Sequence, residues 1–419
     1  MTSDTLFQTV FIVALIANLS VQWWLCSRHL AHIARHRSAV PDHFADAIAL
    51  ADHQKAADYT STKTRVGHFD ALIHAGLLLV WTLGGGLDWL DQSWRASGWP
   101  SLVIGVGFLT SAFLAFMVLA LPMSLYQTFV IEERFGFNKT TLTTFFTDLV
   151  KQLILTLGLL VPLVFAVLWL METAGSLWWI YVWVLWMGFS LFLIWLYPVA
   201  IAPLFNKFTP LDDGALRERI GSLLERNGLN MTGIFVMDGS RRSGHGNAYF
   251  TGFGANKRIV FFDTLLDGLE AVEIEAVLAH EVGHFRRKHI VKQIVFRATL
   301  TLAGLAVLGW LVQAPWFYAG LGISEPSTAA ALLLFLLVVP LFTFFMSPVM
   351  SALSRKHEFE ADAFAAEQAD ADALVTALVK LYKENASTLT PDPLYSAFHD
   401  SHPPAPVRLA RLNHATGDS

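Results

Sequence analysis

Seven stretches of this 419-residue chain are long and charge-poor enough to cross a bilayer: residues 6–26, 71–87, 101–131, 152–170, 174–206, 298–324 and 326–354. Spanning about 30 Å of hydrocarbon takes about 20 apolar residues. A chain with so many such runs folds as a polytopic helical membrane protein. The span at 71–87 is the shortest, contains His74, and ends in Gly84-Gly85-Gly86, which loosens a helix. Composition agrees: 54% of residues are hydrophobic, 15% are charged and the mean hydropathy is +0.49. Soluble proteins lie near 45–50% and about 25%, so disorder and a fibrous repeat are excluded, and the composition argues against an ordinary soluble enzyme. The 14 Trp and 32 Phe suit the two lipid interfaces. A net charge of −5 gives nucleic acid no footing, and the single cysteine, Cys26, rules out a disulfide framework or a Cys-based zinc finger. The N-terminus lacks the basic segment of a secretory signal and its apolar run is too long for one, so the first span is expected to stay attached.

Basic residues set the orientation. Arg28, Arg35, Arg37, Lys55, Lys63 and Arg65 follow span one; Arg134, Lys139 and Lys151 follow span three; Arg355 and Lys356 follow span seven. The alternate loops carry Arg95 beside Asp88 and Asp91, then Glu172, then Glu325. The positive-inside rule puts the N-terminus outside and the C-terminal region in the cytoplasm. The sequons at Asn138, Asn230 and Asn385 then face the cytoplasm and read as chance matches.

The chain divides into residues 1–206 (spans one to five), 207–289 (a cytoplasmic catalytic domain), 290–354 (spans six and seven) and 355–419 (a cytoplasmic tail). Within the second unit, Asp212–Asn227 has helical periodicity, and Gly233–Val236, Asn247–Phe253 and Arg258–Phe262 read as a small antiparallel sheet. The expected fold is therefore mainly α: seven transmembrane helices with a small α+β cytoplasmic domain.

The sharpest motif is His280-Glu281-Val282-Gly283-His284 in a helical stretch. Residues four apart share a helix face, so His280 and His284 can present two imidazoles to one ion. Neutral imidazole suits zinc, and a catalytic zinc takes three protein ligands and keeps an open position. Glu281, rotated about 100° from His280, is placed as general base for a water. Gly283 in mid-helix costs about 1 kcal/mol relative to Ala, a cost that a close backbone approach would explain. Glu358 and Asp362 lie four apart further on, with Glu360 pointing nearly the opposite way. Glu358 is read as the third ligand and Asp362 as acceptor of a ligating histidine's second N–H, with His357 the rival ligand on spacing. Arg297, early in span six, is expected to snorkel to the interface.

The sequence resembles the type I CAAX prenyl proteases. The resemblance rests on Leu121–Leu142, Tyr197–Leu211, Asn247–Leu266, His280–His284, Ser354–Ala365 (SRKHEFEADAFA) and Ser401–Leu409 (SHPPAPVRL), in that family's order. It implies a ring of seven helices enclosing a chamber, one zinc per chain, Glu358 as the third ligand, and Asp362 as its supporting carboxylate. It also implies that Asn247 and Ala248 lie on an edge strand that receives substrate by strand addition, that His402 stabilises the tetrahedral oxyanion, and that Arg408 holds that segment. The expected partners are peptide or protein substrates, prenylated ones among them, and the lipid bilayer, with the active site on the cytoplasmic side. A broad-specificity quality-control metalloprotease is the alternative enzyme, and a transporter or scaffold has no need of the intact Glu281. Ala-rich, Lys-poor usage and a tail without a retrieval signal lean towards a bacterial inner membrane, with the endoplasmic reticulum membrane the expectation for a eukaryotic source.

Overall fold

The computed structural model describes all residues except 213, 230–232, 252–257 and 418–419, and describes no side chains at 251 and 413–417. The sequon Asn230, the end of the expected strand at Phe253, and the last two residues of the tail lie outside the described residues. Among the described residues, six helices are long and apolar enough to cross a membrane, and a seventh span arises when two helices bent by 47° are counted as one.

The membrane region opens with α1 (Ser3–His36), α2 (Leu50–Trp81), α3 (Gly86–Arg95), α4 (Ser101–Tyr126), α5 (Leu142–Thr173) and α6 (Trp178–Leu196). The bent pair is α2 and α3. Gly85 sits there at φ +78°, and a Cβ at Gly84 would stand 2.6 Å from the Val80 carbonyl oxygen, so the glycine run permits the break. α2 starts at Leu50, well before the 71–87 run. Its polar first half packs on protein: the Cys26 thiol lies 3.5 Å from the Thr64 carbonyl, and the Tyr59 hydroxyl donates to Glu132 at 2.7 Å. Hydropathy alone finds only the lipid-facing half of such a helix.

The second unit carries β1 (Phe208–Pro210), α7 (Gly214–Arg226), β2 (Gly233–Met237), β3 (Ala248–Thr251), β4 (Arg258–Phe262) and α8 (Ala271–Arg286). The sheet order is β1-β2-β4-β3. It is mixed and not antiparallel as expected, because β2 and β4 run parallel. β1, hidden in an apolar segment with two prolines, is the fourth strand. β3 pairs antiparallel with β4 and lies at the sheet edge among the described residues.

α9 (His289–Leu311) and α10 (Thr328–Thr343) return to the membrane; α10 runs through a short tight turn into α11 (Ser347–Gln368), and α12 (Ala371–Glu384), α13 (Pro393–His399) and α14 (Ala405–Gly417) follow. Two main cores result. One, with Phe11, Phe108, Leu168, Phe317 and Leu334, holds the spans together. The other, with Ile220, Leu223, Phe261, Leu278, Val282, Leu374 and Leu409, joins the sheet to α7, α8, α12 and α14. Trp89, Trp99, Trp169, Trp195 and Trp310 are exposed, as side chains at a lipid boundary are.

Candidate metal centre

α8 begins at a capping box: the Glu270 side chain accepts from the backbone three residues on, and the Glu270 N–H donates to Glu273 at 2.7 Å. Lys380 of α12 donates to the same Glu273 carboxylate at 2.8 Å, which ties the helix start to the domain core. Ten residues further, α8 crosses α11 at Gly283. A Cβ there would lie 3.0 Å from the Ala361 Cα and 3.1 Å from its carbonyl oxygen. The helices therefore touch backbone to backbone, which is the reason for a glycine in mid-helix. Gly283→Val should force them apart at a cost of about 1–3 kcal/mol. The check is a lowered Tm together with faster loss of bound metal to a chelator; unchanged values for both would refute the close-contact role.

That crossing brings three side chains to one point. His280 Nε2 and His284 Nε2 are 3.2 Å apart, and they lie 3.4 and 3.3 Å from the two Glu358 oxygens. Atoms about 2.0–2.1 Å from a tetrahedral ion stand about 3.3–3.4 Å from one another, so this donor set fits zinc in both chemistry and spacing. His280 and Glu358 are buried, and His284 is partly so.

Each histidine is held from behind. His280 Nδ1 lies 2.8 Å from Asp362 Oδ1, and Arg408 clamps Asp362 with its Nε, at 2.9 Å from Oδ2, and with its Nη2. Asp362 and Arg408 are buried together, the arrangement that makes a buried ion pair tolerable. Burial works against a charged His280 imidazole, but hydrogen bonds with Asp362 and Glu358 outweigh it and raise the group to about 9. On the other side, His284 Nδ1 lies 3.0 Å from His289 Nδ1, and His289 Nε2 lies 3.0 Å from Glu360 Oε2. His289 is buried and stacks on His357 at 4.1 Å.

The structure thus brings together His280, His284, Glu358, Asp362 and Arg408, with His402 Nδ1 2.8 Å from Glu358 Oε2. His402 is exposed towards a cavity of about 1040 Å³ that it lines with Asn247, His245, Lys63, Tyr382 and His29. Asn247 directly precedes edge strand β3; its carbonyl accepts from Phe262 at 2.9 Å, and its side-chain oxygen accepts the Ala248 N–H at 2.8 Å. Glu281 is half-buried on α8 between the two histidines. Arg408, expected beside the substrate segment, is buried behind the metal site. Arg297 lines a cavity of about 380 Å³ between α9 and α11, together with Ser351, His357 and Ser401. His289 and Glu360 went unassigned in the sequence. Of the sequons, Asn138 bonds to Glu133 at 2.9 Å, and Asn385 bonds to His245 at 3.1 Å.

Residues 29–207 match the family described as CAAX prenyl protease N-terminal, five membrane helices, and residues 210–416 match Peptidase family M48. The CAAX prenyl protease 1 of Saccharomyces cerevisiae is 39% identical over 71% of this chain and 69% of its own length. The human CAAX prenyl protease 1 homolog is 32% identical over 96% and 95%, respectively. The crystal structure of S. mikatae Ste24p superposes with a TM-score of 0.90 at 32% identity, covering 97% of this chain and 99% of that one. The family shared by these relatives is that of a multi-pass membrane protein whose peptidase half uses a metal. With a helix crossing that converges two histidines and a glutamate beside seven candidate spans, the chain belongs to the CAAX prenyl protease family of M48 metalloendopeptidases.

Proposed function

We propose that this protein cleaves peptide bonds near the C-terminus of prenylated or membrane-associated substrates, on the cytoplasmic side, with one zinc held by His280, His284 and Glu358. The observation that carries the reading is the convergence of the two histidine Nε2 atoms, 3.2 Å apart, on the Glu358 carboxylate, His280 at 3.4 Å from Oε2 and His284 at 3.3 Å from Oε1. When bound there, zinc supplies Lewis-acid polarisation and lowers the pKa of water. Glu281 takes the proton of the attacking water and delivers it to the leaving amine. His402, at the mouth of the cavity, donates a hydrogen bond to the oxygen that becomes negative. Asn247 and Ala248 offer the substrate backbone an edge strand, and the Asn247 side chain, now on the Ala248 N–H, yields that donor to the incoming carbonyl. Asp362 and Arg408 keep His280 in the tautomer with its Nε2 lone pair free.

The names of the relatives bring the substrate class into view, and two fluorogenic peptides of one CAAX sequence test it, one farnesylated and one unmodified. The farnesylated peptide should give the higher kcat/KM; equal values would point to broad membrane proteolysis. The sidedness rests on the Lys and Arg distribution. A reporter inserted near Glu325 should behave as external and one joined after Ser419 as cytoplasmic, and the reverse pattern would overturn it.

A further inference from the structure

The turn between α8 and α9 is dense in cations. Arg286, Arg287, Lys288 and Lys292 fall within seven residues that contain no acid. Against this turn packs α11, which brings Arg355 and Lys356, and α14, which brings Arg411. The result is a pocket of about 620 Å³ lined by Arg287, Lys292, Arg355, Lys356, Arg411 and Glu360. Five cationic side chains face one carboxylate, and that carboxylate is already engaged, 3.0 Å from His289 and about 4 Å from Lys292 and Lys356. Arg355 spends two hydrogen bonds on the carbonyls of Ser396 and Asp400 at 3.2 and 2.9 Å, and Arg411 lies over the Phe359 ring at 4.5 Å. Among the described residues Arg287 has no ion pair. Such a set of charges is complementary to an anion that none of these residues supplies.

The chemistry of the anion follows from what adjoins the pocket. A second groove, of about 530 Å³, shares Arg287 and Lys292 with it and continues past Val291, Val295, Phe296 and Leu300. Those residues belong to α9, a membrane span, and Val291 and Val295 are 54% and 59% exposed. The site thus has a cationic head where the span leaves the bilayer and an apolar trough running along the span. A free phosphate would use the head alone. A zwitterionic lipid would bring its own ammonium into a cluster of five cations.

We propose that this pocket and groove bind one anionic glycerophospholipid, its phosphate between Arg287, Lys292 and Lys356 and an acyl chain along Val291, Val295 and Leu300. Arg offers the phosphate paired N–H donors, Lys adds point charge at the membrane surface, and the groove gives an acyl chain van der Waals contact along α9. The lipid is not a reactant in peptide hydrolysis, although Glu360 of the pocket also holds His289 at 3.0 Å, and the site needs no assumption about which leaflet faces the cytoplasm.

The test uses full-length protein, delipidated in detergent and titrated with phosphatidylglycerol and with phosphatidylcholine under native mass spectrometry. One phosphatidylglycerol should bind at least tenfold more tightly than phosphatidylcholine. Removing each cation should weaken it about fivefold, so Arg287→Gln/Lys292→Gln loses most of the preference. Arg287→Gln alone, at an exposed position, serves where the double variant fails to fold. Val291→Ser/Val295→Ser should weaken lipid binding while leaving the cations in place, and Arg134→Gln/Lys139→Gln, on another loop, should change nothing. Equal affinity for the two lipids would overturn the proposal. So would a preference that survives Arg287→Gln/Lys292→Gln unchanged, or an equal loss in the Arg134→Gln/Lys139→Gln control.

Discussion

Glu281→Gln should give a protein that folds, inserts and carries one zinc per chain, yet cleaves peptide about 10²–10⁴-fold more slowly. Glutamine keeps the volume and reach of the side chain but cannot accept a proton. The position one residue after His280 turns Glu281 away from the edge on which His280 and His284 meet Glu358, so the metal set stays intact. The measurement is kcat for the farnesylated peptide beside zinc content from the same preparation. Near-wild-type cleavage would sink the general-base assignment; loss of zinc in parallel with activity would make Glu281 part of the metal set instead.

Glu358→Ala should release the metal. It removes the corner that faces both histidines at 3.4 and 3.3 Å, and leaves two imidazoles on one helix turn to hold an ion that takes three protein ligands. Zinc content after dialysis should fall to background and cleavage with it. Full retention would move the third ligand, with His357 and Glu360 the next donors on α11. The supporting groups should cost less: His289→Ala or Asp362→Ala is expected to weaken zinc by about 10–100-fold, read as faster transfer to a chromogenic chelator. Acidification acts in the same direction. Without metal the His280 imidazole is raised to about 9, so an ion entering at neutral pH displaces a proton, and lowering the pH favours its release.

Some of this centre is legible in the sequence because it obeys helical spacing. His280 and His284 are four apart, and so are Glu358 and Asp362; that periodicity is enough to set each pair on one face. Gly283 signals the close approach, although only the fold reveals Ala361 as the partner. The outer hold on His284 escapes such a reading. His289 is five residues on and would point elsewhere on a continuous helix, but α8 stops at Arg286 and Lys288 takes φ +56°, a left-handed conformation unusual for lysine. That single kink restarts the chain as α9 and swings His289 back against His284. Glu360, which faces away from Glu358, faces His289 for the same reason. The sheet was only partly legible as well: β-branched runs locate β2 and β4, but nothing local states that they run parallel, or that Phe208–Pro210 adds a strand. The membrane spans were plain wherever lipid demands apolar side chains, and the polar half of α2, which demands none, was hidden.

The buried bond between Arg408 and Asp362 sets a clock on the enzyme's own birth. A ribosome that has made only the first 400 residues has already delivered all seven candidate spans, both histidines and Glu358, but neither Arg408 nor His402. Until synthesis passes those positions, Asp362 is a carboxylate without its counter-cation, and the cavity lacks one wall. The three residues that converge on the metal site are therefore all made before the arginine that braces Asp362 behind them.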